Sequence, residues 1–80
     1  MEIRYECVCY ERTLVIDFPK KYSGLKEEIM AYLDKYYNEW IYTDGPYGEE
    51  AIHDMCLEEY MIDRLVDQYE ISLMWYVEED

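Results

Sequence analysis

The stretch GEEAIHDMCLEEYMIDRLVDQY, from Gly48 to Tyr69, constrains this chain most. No Pro or Gly interrupts it after Gly48, and its apolar residues recur with a helical period. At 100° per residue, Ala51, Met55, Ile62, Leu65, Val66 and Tyr69 fall on one stripe, with Ile52 at its edge. The turn-forming Gly45-Pro46-Tyr47-Gly48 precedes it. The spacing therefore predicts the longest helix of the chain over this stretch, with the remaining elements arranged to cover its stripe.

Two features of the stretch are unusual for a surface helix. Between Glu49 and Asp67 it carries seven acids (Glu49, Glu50, Asp54, Glu58, Glu59, Asp63 and Asp67) against one base, Arg64. Asp54 and Glu58, Glu59 and Asp63, and Asp63 and Asp67 stand four apart, so a helix stacks them about 6 Å apart along its axis. Each such like-charge pair costs roughly 0.2–0.5 kcal/mol. Repeated repulsion points to an anionic face kept for a partner, against the simpler reading of a solvated surface. The second feature is Leu57, Tyr60 and Met61, which fall off the main stripe. Either the domain covers the helix on a second side, or these residues form a contact patch for another protein or a second copy. In a chain of 80 residues there is little to supply that cover, and the patch is the expectation.

The flanking sequence supplies a sheet and a further helix. Glu2 to Tyr10 alternates, with Ile3, Tyr5, Cys7 and Cys9 to one side, as a strand does. Thr13 to Phe18 is a second, β-branched strand that Pro19 ends. Glu11-Arg12 is a poor two-residue turn, so a slightly longer hairpin loop is expected. Ser23 is placed to cap a helix whose stripe is Leu25, Ile29, Tyr32, Leu33, Tyr36 and Trp40. Trp40 to Thr43 reads as an extended exit. Ile71, Leu73, Trp75 and Val77 alternate in a third strand. The order β-β-α-α-β predicts an α+β fold over residues 1–80 as a single domain: a small antiparallel three-stranded sheet with two helices packed on one face.

The formal net charge is −13, from 20 acids and 7 bases. Such a surface repels nucleic acid and anionic membranes and attracts basic proteins. No apolar run approaches the ~18 residues of a spanning helix. The first residues, MEIRYECVCYERTLVIDF, lack the basic start and apolar run of a secretion signal, so a cytoplasmic location is expected.

For chemistry, Cys7 and Cys9 with His53 and Cys56 would make a tetrahedral zinc donor set. The spacing lacks the usual C-x2-4-C knuckle, and His53 and Cys56 lie off the helix stripe that should face the sheet. Buried or half-buried thiols are the expectation, with no metal and no cofactor. Acids near Cys56 oppose the electropositive setting that a catalytic thiol needs. No glycine-rich phosphate loop is present. The residues point to a binding protein rather than an enzyme.

In its length, charge, element order and the acidic segments EEAIHDMCLEEYMIDRLVDQYE and YVEED, the chain resembles the small acidic phage-encoded proteins that mimic DNA, among them anti-CRISPR proteins. These share no motif, and the resemblance is one of character alone. It implies a viral inhibitor that occupies the nucleic-acid site of a basic effector, a CRISPR effector included, acting in the host cytoplasm. The expected contact residues are Glu49, Glu50, Asp54, Leu57, Glu58, Glu59, Tyr60, Met61, Asp63 and Asp67. The alternative is a small regulatory module, adaptor-like or antitoxin-like, that forms a homodimer through Leu57, Tyr60 and Met61.

Overall fold

The β2 strand, Arg12–Asp17, is the centre of the fold. It lies between β1 (Glu2–Cys7) and β3 (Met74–Glu79), antiparallel to both, in the sheet order β1-β2-β3. The computed structural model describes residues 1–41 and 56–79. Between β2 and β3 come two helices, α1 (Lys26–Glu39) and α2 (Leu57–Tyr69). The architecture is the expected three-stranded antiparallel α+β arrangement in the order β-β-α-α-β.

The register sorts the strands into two faces, because side chains alternate along each. On one face, Ile3, Ile16 and Trp75 form a row, and Tyr5, Leu14 and Val77 form the next. Ile3, Tyr5, Cys7, Leu14 and Ile16 are buried there under Ile29 and Leu33 of α1 and Leu57, Met61 and Leu65 of α2. The other face carries Glu2, Asp17 and Met74 in one row and Arg4, Val15 and Tyr76 in another. The helices run antiparallel to each other. Tyr69 at the end of α2 donates a 2.8 Å hydrogen bond to Glu28 at the start of α1, while Trp40 meets Tyr60 at a 5.6 Å ring separation at the opposite ends.

The tyrosines are chiefly mortar between these layers. Tyr5 donates a 2.6 Å hydrogen bond to Asp34, joining β1 to α1. Phe18, buried just past β2, meets Tyr22 and Tyr69 edge-on, and Tyr69 also meets Tyr32. Edge-to-face pairs add about 0.5–1.5 kcal/mol each beyond the area they bury.

Several local expectations are corrected. The first strand ends at Cys7, because Val8–Tyr10 winds into a 3-10 turn and Glu11 adopts a left-handed φ of 54°. Cys9 therefore lies in that turn and not on the strand with Cys7. Ser23 does not cap α1. It sits within a 3-10 segment, Lys20–Leu25, and the helix begins after Leu25 with no side-chain cap. Trp40 and Ile41 are not an extended exit; they continue helically and are buried.

The largest correction concerns α2. Cys56 is extended (φ −77°, ψ 166°), so the helix starts at Leu57 and spans 13 residues against 14 in α1. It is not the longest helix among the described residues. It ends on Glu70, left-handed at φ 55°, with the Ile71 N–H returned to the Val66 carbonyl at 3.3 Å. That is a Schellman-type stop, normally built on glycine.

Candidate partner-binding face

Because α2 begins at Leu57, its buried face is its own. Ala51, Ile52 and Met55, which anchored the predicted stripe, lie outside the described residues. The side chains that α2 buries are Leu57, Glu58, Tyr60, Met61, Ile62 and Leu65. Their arc is turned by roughly 80° from the predicted one, at 100° per residue. Leu57, Tyr60 and Met61 are therefore core residues, 1%, 4% and 0% exposed, and form no contact patch. They belong to the same core cluster as Cys7, Leu14 and Trp40, and the Tyr60 ring meets that of Trp40.

Opposite this arc stand Glu59, Asp63 and Asp67, all exposed. They recur every fourth residue, so they form one ridge along the outer face of α2. None of the three is in an ion pair among the described residues. Arg64, the one base on the helix, is drawn aside over the Tyr60 ring at 4.9 Å. Beside the ridge, Asp67 shares a shallow groove between the helices with Glu39, Tyr36, Arg64 and Gln68. No basic residue occupies the last turn of α2, where a cation would complement the helix dipole by about 0.3–1 kcal/mol. Asp67 sits there instead. Glu49, Glu50 and Asp54 lie outside the described residues.

Glu58 leaves the predicted face altogether. It is 2% exposed and points back under the helix, against Arg12 on β2. Glu58 Oε2 and Arg12 Nε are 3.1 Å apart, yet the approach is off the N–H axis and neither atom has a hydrogen-bond partner. The pair is held by charge. The third member is Cys7, buried beside it; burial first, then the Glu58 carboxylate, push its thiol from an ordinary 9.0 up to about 12. A thiol held protonated at neutral pH is not a nucleophile. The sequence signal for this cluster was Arg12, an inward-facing cation at the start of a hydrophobic strand, which needs a buried anion.

The thiol predicts a pH dependence. A group whose pKa is raised in the folded state stabilises the fold below its unfolded value and loses that contribution as pH climbs through the folded one. Cys7 should therefore leave stability unchanged through neutral pH and erode it from about 9 towards 12. Tyr5, raised by burial and by its bond to Asp34, acts in the same direction. Thermal melts across alkaline pH should show the fall, and Cys7→Ala should flatten its first part.

Of the four candidate zinc donors, Cys7 and Cys56 are among the described residues. Cys7 is buried in the ion-pair cluster and Cys56 is exposed at the start of α2, while His53 and the Cys9 side chain lie outside the described residues. Among the described residues no three His, Cys, Asp or Glu side chains are grouped to hold a metal ion, and no helix is long and apolar enough to cross a membrane. No family model, curated protein or solved structure matches the chain.

Proposed function

We propose that this chain is an acidic protein-binding inhibitor that sets the carboxylates of α2 against the Lys and Arg side chains of a nucleic-acid-binding protein, in place of phosphates. The observation that carries this reading is the ridge of Glu59, Asp63 and Asp67, exposed and without an ion pair among the described residues, in a row that helix stability alone disfavours. The −13 net charge supplies the long-range attraction. Duplex DNA presents about one charge per 1.7 Å of axis, whereas the ridge presents one per ~6 Å. Neighbouring acids such as Glu39 and Glu70 would have to add to it. A CRISPR effector is one target of the required chemistry. The contact residues proposed on α2 are now Glu59, Asp63 and Asp67. The apolar grip expected of Leu57, Tyr60 and Met61 is buried, and with it the surface on which a dimerising adaptor was to rest.

Light scattering of the protein mixed with a basic nucleic-acid-binding effector tests the proposal. A complex should form at low salt and weaken as the Debye length shrinks from about 30 Å at 0.01 M to about 8 Å at 0.15 M. Nucleic acid should compete for the same site. A complex indifferent to both salt and competing nucleic acid would sink the phosphate-mimic reading for that effector.

A further inference from the structure

β3 differs from the other strands in what covers it. β1 buries Ile3, Tyr5 and Cys7 beneath the helices, whereas no residue of β3 is fully buried. The helical layer stops short of the last strand. On the helix side, Trp75 and Val77 are only half-buried; on the open side, Met74 and Tyr76 are 77% and 52% exposed. The outer edge of β3 pairs with no strand among the described residues, and the outward donors and acceptors of such an edge are a template for a further strand. Natural edges are usually blunted by Pro, a bulge or charged side chains. MWYVEE has no Pro, its register with β2 is unbroken, and its charges are the two acids at its end, Glu78 and Glu79, which deter an acidic strand and admit a basic one.

The surroundings state what would pair. On the face of Met74 and Tyr76, where Val15 is itself only 2% exposed, a concavity of ≈ 480 Å³ is lined by Val15, Met74 and Tyr76 together with Glu2 and Asp17. Arg4, the one base of that face, is already held by Glu2 and Glu78. A second copy would bring another −13 of charge to the same edge, so the complement is basic. We propose that β3 is a docking edge for an extended segment of a partner protein in which apolar residues alternate with Lys or Arg. Added as a fourth strand about 4.8 Å away, the segment lays its apolar side chains beside Trp75 and Val77. Its basic side chains fall on the other face, their aliphatic stems across Met74 and Tyr76 and their charges towards Asp17 and Glu78. This edge lies apart from the ridge on α2 and does not rest on phosphate mimicry.

The test uses a capped peptide of about eight residues alternating Val and Lys, titrated into isotope-labelled full-length protein. NMR shifts should concentrate in β3, and its outward amides should gain at least about tenfold protection from hydrogen exchange. Glu78→Lys, on a half-buried position paired with Arg4 and checked for folding by circular dichroism, should weaken binding at least about tenfold, as should N-methylation of the pairing amides of the peptide. A Val-Glu peptide should not bind. Shifts on α2 instead of β3, an N-methylated peptide that binds equally well, or no binding would each overturn the proposal. So would outward β3 amides already protected in the peptide-free protein by self-pairing.

Discussion

Arg12→Ala should lower the unfolding free energy by roughly 3 kcal/mol, the lower end of the ~3–5 kcal/mol that follows from breaking a buried ion pair. The variant leaves Glu58, its side chain 3% exposed, among core side chains without a cation. The lower end applies because the Arg12 side chain is itself 29% exposed and partly screened. A small domain holds only about 5–15 kcal/mol in all, so this one substitution removes a large share. Replacing both charges, Arg12→Met with Glu58→Leu, should be neutral to stabilising by about 1–4 kcal/mol, since apolar residues of similar volume avoid the desolvation of both ions. Urea denaturation of the two variants at pH 7 measures both effects. A loss under about 0.5 kcal/mol for Arg12→Ala would mean that the pair behaves as a surface contact. The experiment also bears on function. A Glu58 that anchors α2 to the sheet is not available to a partner, although its neighbour Glu59 is.

What could be read in advance followed from periodicity wherever periodicity was complete. α1 repeats its apolar residues over nearly four turns, and Ile29, Leu33, Tyr36 and Trp40 are buried as their spacing requires. Strand β2 reads as a hydrophobic run, and Thr13 to Ile16 are buried in succession; β3 alternates, but its pairing with β2 rather than β1 does not follow from periodicity. The two largest failures share one physical origin, an element boundary without the residues that usually mark it. Cys56 caps α2 with no side-chain hydrogen bond, so an apolar pattern running through it from Ala51 looked continuous. Once the start is moved to Leu57, Tyr60 and Met61 turn from surface into core. In the first hairpin, Glu11 takes a left-handed φ where glycine or asparagine is the usual signal, and the alternation up to Tyr10 disguised a strand that ends at Cys7. The ridge itself was legible, because stacking needs only residues four apart on one helix. Glu58 was misassigned because its sequence neighbours say nothing of Arg12, which reaches it from another element.

Asp63→Lys should raise stability and lower affinity for a basic partner at once, and these opposite signs make it the sharpest test of the ridge. Asp63 is the middle of the row, stacked on Glu59 one turn before and Asp67 one turn after. Lysine there turns two repulsive pairs, each costing roughly 0.2–0.5 kcal/mol, into two attractive pairs of similar size. The expected gain is about 1 kcal/mol. It comes mostly from Glu59, since an acid preceding its lysine is the better orientation. No buried contact is lost, because Asp63 is exposed. Close charge pairs across an interface couple by about 1.5 kcal/mol or more, so losing one pair and placing a like charge in its stead should weaken binding by at least about tenfold. The salt dependence of what remains should also flatten. Reversing Glu59, Asp63 and Asp67 together moves the net charge from −13 to −7, at two units per site. It should deepen the loss of binding, while three stacked lysines forfeit the gain in stability. A loss of affinity in a better-folded protein cannot come from unfolding. The reason to keep an aspartate that the helix would exchange for lysine is then the partner. If Asp63→Lys stabilises the fold and a basic effector is still captured with unchanged affinity, the ridge is a solvated surface.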